Sequence, residues 1–207
     1  TGVAPKSNPR PPGATAMNRA LFPLNSVVLP GGRLPLRLFE RRYMDMLTHS
    51  LRAQEPFVLV LLEQGGSDTS ADAAFHPIGC EVSVVDFSPL ENGLLGITVE
   101  GLGKVSVARN WRETDGLNRG DVVALPEEPR ARTPLRHEDL SELLAALCRH
   151  PSVAELGLTI DYDDARQVGW RLTELLPLAI EQRQSLVEMD DPLERLEVLS
   201  RLVDDME

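Results

Sequence analysis

Apolar and polar positions alternate with a period of two over most of the stretch from Leu21 to about Leu125, as in strands with one face in a core. Cys80, Val82 and Val84 alternate with Glu81 and Ser83, Leu95, Ile97 and Val99 alternate with Gly96 and Thr98, and Val105 and Val107 continue the pattern. The unbroken apolar run from Phe57 to Leu62 predicts a strand covered on both faces. Ser88-Pro-Leu-Glu-Asn-Gly93 predicts a hairpin, because Asn92-Gly93 supplies the positive φ angles of a tight turn. One helix interrupts the strands. Phe39, Tyr43, Met46, Leu47 and Leu51 recur at helical spacing, which predicts a helix over about 39–53 that packs on the β lobe through Phe39, Tyr43 and Leu47.

Beyond a proline-rich connector at 126–138 the period becomes helical. Leu140, Leu143, Leu144 and Leu147 form one stripe, and Val168, Leu172, Leu175 and Leu176 a second. A short helix is expected over Glu181 to Met189. A last one is expected after Asp191, with Pro192 at its first position. Residues 1–20 read instead as a flexible tail, with Pro5, Pro9, Pro11 and Pro12, three cations and no acid. Met17, just before the first apolar run, reads as a candidate native start, with the sixteen residues before it an extension. The class that follows is α+β: a β-rich lobe at 21–125, then a helical bundle at 139–207.

Charge narrows the partners. Lys+Arg 21 against Asp+Glu 32 gives −11, which repels a phosphate backbone, so neither nucleic acid nor an anionic membrane is expected as partner. The stretch from Glu181 to Glu207 holds nine acids and three arginines, a composition typical of the solvated face of a bundle. No apolar run approaches the roughly 20 residues that span a bilayer. The first twenty residues also lack the apolar core of a secretory signal, so a cytoplasmic location is the expectation. Cys80 and Cys148 are the two cysteines, expected as buried free thiols.

Sequence features that imitate catalytic motifs fail on spacing. Gly101-Leu-Gly103-Lys104 lacks the four residues between glycines and the following helix that a phosphate loop needs, and Lys104 runs into a strand pattern. His137-Glu138-Asp139 lacks the second histidine of a zinc-protease helix, and His76 with Cys80 offers two of the four ligands of a structural zinc. Neither a nucleophile elbow nor a credible nucleophile and base pair is visible. No catalytic residue, metal or cofactor is therefore expected, and the chain is read as not an enzyme.

The ordered motifs Leu21-Phe-Pro-Leu24, Val28-Leu-Pro-Gly31, Leu34-Pro-Leu-Arg-Leu-Phe-Glu40 and Arg42-Tyr43 resemble the amino-terminal, substrate-binding domain of Lon proteases. The similarity continues through Ile78-Gly-Cys-Glu-Val82, the Glu91-Asn-Gly93 hairpin and Ile97-Thr-Val-Glu-Gly-Leu102. It resumes at Leu172-Thr-Glu-Leu-Leu-Pro-Leu178 and Glu188-Met-Asp-Asp-Pro-Leu-Glu-Arg-Leu196. The resemblance implies a PUA-like β pseudobarrel followed by a helical bundle. It also implies a substrate-recognition role in protein quality control, without the ATPase motor or the serine–lysine protease site, so that a peptidase-like label would be inherited by homology. The partners it implies are unfolded or degron-bearing polypeptide and, for an adaptor, a protease or chaperone.

A β lobe can offer a cleft beside its sheet without losing its core, which places the expected peptide site at Val28, Leu29, Pro30, Leu36, Glu40 and Tyr43. For Glu40, a helix-dipole contact or a pair with Arg37 or Arg42 is favoured over ligand contact. The rival reading is a small hydrolase or ligand-binding enzyme with a site of dispersed residues. RNA binding through a PUA-like lobe would need a basic patch that the overall acidity disfavours.

Overall fold

The computed structural model describes residues 15–63, 74–90 and 94–206 and divides the chain into two compact units. The first comprises Thr1–Pro30 and Leu34–Pro126, the second Gly31–Arg33 and Glu127–Glu207. Residues 1–14 of the expected tail, and the expected turn at Asn92-Gly93, lie outside the described residues. The first strand begins at Met17, so Met17 to Ala20 belong to the sheet and not to the tail.

Six strands form the first unit: β1 Met17–Leu24, β2 Arg33–Leu38, β3 Phe57–Leu61, β4 Ile78–Pro89, β5 Leu95–Arg112 and β6 Asn118–Ala124. β1 pairs in parallel with β3 and antiparallel with β6, and β3–β4, β4–β5 and β5–β6 are all antiparallel. The five strands therefore close into a ring, while β2 ends the strand order with β5 as its neighbour. Closure depends on the length of β5. Its 18 residues face β4 over Leu95–Ser106 and β6 over Val105–Arg112. The Gly101-Leu-Gly-Lys104 segment lies inside this strand.

The parallel β1–β3 pair requires a crossover, which β2 and helix α1, Arg41–Ala53, supply. Every residue of β3 is buried. Phe57 and Leu59 join a cluster with Tyr43, Met46 and Leu47 of α1, whereas Val58 and Val60 join Leu21, Val105 and Val122. The run covered on both faces is thus filled by two different sets of side chains, as the period of two requires.

Helix α1 corrects two expectations. Its buried face is Arg42, Tyr43, Met46 and Leu47, while Phe39 is 73% exposed and Leu51 45% exposed. The helix starts at Arg41 behind Glu40, an N-cap with extended backbone (φ −84°, ψ 134°), so Phe39 precedes the helix and is not on its stripe. It follows Leu38, which is buried, and successive residues of extended chain face opposite ways. Leu51 falls in the last turn, just before Gln54 ends the helix in left-handed conformation (φ 54°).

The second unit contains α2 Glu138–Cys148, α3 Pro151–Ala154, α4 Ala165–Leu175, α5 Ile180–Glu188 and α6 Pro192–Asp204. Leu140, Leu144, Val168, Leu172, Leu176, Leu196 and Leu199 form its core. Asp164 and Asp191 cap α4 and α6 by accepting from the backbone N–H groups of Arg166 and Leu193, and Pro192 takes the first helical position.

A fully buried ion pair crosses this core. Arg195 donates from two nitrogens to Glu128, at 2.8 and 2.6 Å, and also to the carbonyls of Leu186 and Met189. A Cβ at Gly169 would lie 3.1 Å from Arg195 Cδ, so the glycine lets α4 approach this side chain. No described helix is long and apolar enough to cross a membrane. Both cysteines are free, Cys80 buried and Cys148 half-buried.

Candidate functional site

The segment from Val28 to Tyr43 carries the expected peptide site, and three of its six residues are core. Val28 is 3% exposed, Leu29 0% and Tyr43 4%. Their side chains meet a ligand only if the lobe opens, which removes them from a preformed surface. Val28 packs in the barrel cluster, and the Leu29 carbonyl lies close against Gly101 of β5. Pro30 bridges to Gly101, where a Cβ would overlap the Leu29 carbonyl, so only glycine lets β5 pass there. Gly31 follows at φ +73°, a conformation that favours glycine and turns the chain towards β2.

Pro30, Leu36 and Glu40 remain partly accessible, and Phe39 is the most exposed apolar side chain of the segment. Glu40 makes no side-chain cap bond to its helix. Its carboxylate instead accepts from Arg42, at 2.9 Å from Nε and 2.8 Å from Nη2. Arg42, 7% exposed, also donates to the Gly116 carbonyl at 2.8 Å and lies 4.6 Å from the centre of the Tyr43 ring. Tyr43 in turn packs on Phe22, with ring centres 4.1 Å apart. Glu40 is therefore one end of a clamp that fixes the start of α1, with its local arginine as partner. The arrangement presents Phe39 from a rigid base: buried Leu38 on one side, the Glu40–Arg42–Tyr43 chain on the other.

Two further features of this unit escaped the sequence reading. Val85, Phe87 and Leu94 are exposed towards the end of β4 and the start of β5, and the register slips between Val84 and Asp86, leaving Val85 as the bulged residue. Three apolar residues in Val84-Val-Asp-Phe87 without strict alternation were the available sign. A concavity of about 200 Å³ also lies beside α1, floored by Met46, Phe57 and Leu117, with Arg19 and Arg119 at its rim. Arg19 pairs with Glu81 at 2.7 Å and Arg119 donates to Asn18 at 2.8 Å, so this rim is already satisfied within the protein. Among the described residues, no three or more His, Cys, Asp or Glu side chains gather as metal ligands would.

Comparison with known proteins adds to this geometry. The model of the ATP-dependent protease La (LON) substrate-binding domain matches residues 18–205. A Lon protease of Xanthomonas oryzae is 27% identical over 192 residues, which cover 89% of this chain and 22% of that protein. A Lon protease of Azorhizobium caulinodans is 22% identical, over 98% of this chain and 24% of that protein. The chain thus spans about a quarter or less of these relatives.

Among solved structures, a Lon N-terminal domain protein from Xanthomonas campestris superposes with a TM-score of 0.74 at 34% identity. The match covers 89% of this chain and 98% of that one. The N-terminal domain of Mycobacterium avium complex Lon protease shares the fold, with a TM-score of 0.64 at 18% identity over 91% and 99% of the two chains. With its mixed sheet, its helical second unit and a family match over nearly its whole length, the chain belongs to the Lon substrate-binding domain family.

Proposed function

We propose that this protein is a polypeptide-recognition module that binds unfolded or degron-bearing chains without cutting them and hands them to a protease or chaperone. The observation that carries the reading is Phe39, 73% exposed on a rigid base beside β2, in a chain of the Lon substrate-binding domain family. A bulky apolar ring in water gives an unfolded chain something to cover, and β2, at the end of the strand order, gives its backbone an edge to pair with. Of the other residues expected at the site, Leu36, Pro30 and Glu40 are partly accessible on the same segment, while Val28, Leu29 and Tyr43 are buried. The role fits a cytoplasmic adaptor. The rival reading as a hydrolase would need a nucleophile and base pair, and the sequence carries no nucleophile elbow to supply one.

Fluorescence anisotropy with labelled, reduced and carboxymethylated lactalbumin tests the proposal. Phe39→Asp should weaken binding about tenfold or more while the melting temperature stays put. Undiminished binding by this variant would remove the site from Phe39. Cleavage of casein with ATP and magnesium, abolished by mutating a residue of this chain, would overturn the non-catalytic reading altogether.

A further inference from the structure

In the helical unit a groove of about 800 Å³ runs between the exposed face of α2 and the extended chain around Tyr162. Its apolar surface is unusually bare. Leu135, in the 3-10 turn ahead of α2, is 87% exposed and Tyr162 is 38% exposed, and Ala145 lines the groove with them. The walls are fixed by the fold. Thr133 and Ser141 both donate their hydroxyls to the Tyr162 carbonyl, at 3.1 and 3.3 Å, and the Thr133 N–H donates to the Asp163 carbonyl at 2.8 Å. The groove therefore exists before anything enters it, which lowers the ordering cost of binding.

Its charges set it apart from the surface nearby. Asp161, Asp164 and Glu197 each meet an arginine at 2.7 Å, from Arg130, Arg166 and Arg136. Glu138, Glu142 and Asp163, which line the groove, have no ion-pair partner among the described residues, and Arg132 is the cation that stands against them. Three carboxylates and one guanidinium leave the lining at −2. An occupant that complements it brings positive charge to the rim and an apolar side chain to the floor.

We propose that this groove docks a short cationic segment of another protein, in which bulky apolar residues are flanked by Lys or Arg. The apolar side chains cover Leu135, Ala145 and Tyr162, and the cations meet Glu138, Glu142 and Asp163. Such a segment is distinct from the unfolded chain proposed for Phe39. It carries a fixed charge pattern, so the helical unit acts as a tether to a partner while the barrel unit takes the client.

The probe is a fluorescein-labelled peptide, Gly-Lys-Arg-Leu-Phe-Arg-Lys-Gly, titrated against the full chain by anisotropy. Amide chemical-shift mapping locates where it binds. One control peptide replaces Leu-Phe by Ala-Ala, another replaces every Lys and Arg by Glu. Each control should bind at least about tenfold more weakly, and so should the protein variant carrying Glu138→Gln with Glu142→Gln. Ala145→Arg fills the groove and should abolish binding. If that change lowers the melting temperature, Leu135→Ser, at a position already in water, takes its place with an expected loss of about fivefold or more.

Phe39→Asp should leave the peptide affinity unchanged, which separates failure of this proposal from failure of the client site. Shifts mapped outside the groove, or equal binding of the acidic peptide, would overturn the proposal. Self-association of the protein alone that Leu135→Ser abolishes would assign the surface to a second copy instead.

Discussion

Phe39 and Tyr43 stand four positions apart, yet one ring is 73% exposed and the other 4%. Truncating a buried aromatic typically costs about 3–5 kcal/mol, so Tyr43→Ala should strongly destabilise the barrel unit in urea denaturation. Phe39→Ala should change stability by no more than about 0.5 kcal/mol in the same measurement, as is usual for surface positions. Equal losses from both would mean that Phe39 is packed. Helical spacing makes Tyr43, Met46 and Leu47 legible as core, because that stripe depends only on local geometry. The fate of Phe39 is not legible in the same way. It turns on where the helix begins, and Glu40 takes the cap position without the Ser, Thr, Asp or Asn side-chain bond that usually marks it. The candidate site was legible only in part, for a different reason: Val28 and Leu29 look like an exposed loop, and their burial comes from strands distant in sequence.

Individual elements were easier to read than their partners. The strands, the helix stripes and the start of α6 at Pro192 follow from period and caps. Ring closure does not, since the pairing of β5 with β6 after β4 depends on a strand long enough to serve both. Nor does a proline-rich connector advertise that its Glu128 is buried against Arg195. Removing one member of a buried pair leaves an uncompensated charge, so Glu128→Ala should cost about 3–5 kcal/mol by denaturant unfolding. Replacing both residues by apolar ones of similar size should cost much less. If the single change is as mild as the double, the pair is not desolvated.

The cap of α4 adds a pH dependence. Burial of Asp164 alone would raise its pKa, but the hydrogen bonds from Arg166, with the charges of Arg166 and Arg130, hold it below its ordinary value. A depressed folded pKa contributes stability that is complete above the ordinary carboxylate range, about 4, and is lost as pH falls towards the lower folded value. Asp164→Asn should therefore flatten the acid side of the stability curve below about pH 4. An unchanged slope there would show that the carboxylate gains nothing on folding.

Across the whole molecule the chain visits its second unit twice, first with Gly31–Arg33 and again from Glu127 onward. Arg33 donates to the Leu156 carbonyl at 3.0 Å, so Arg33→Ala should loosen the helical unit by about 1 kcal/mol, read by hydrogen exchange around α3. Exchange that is unaltered there would deny the early segment this role.

The net charge of −11 separates the two proposed ligands as well. Apolar binding at Phe39 should change little between about 0.05 and 0.3 M salt, whereas the cationic peptide should lose affinity over the same range as its exposed pairs are screened. Parallel titrations at the two salt concentrations check both outcomes.

The ring described above also governs when this protein can become itself. Met17 of β1 is paired with Val122 of β6, so the first strand of this unit to be synthesised waits for the last before both its edges are covered. Contacts so distant in sequence make for slow folding, and an emerging chain carrying β1 to β5 bears open strand edges throughout that wait. A protein proposed to recognise unfolded polypeptide thus passes, during its own synthesis, through an unfolded, edge-exposed condition of its own.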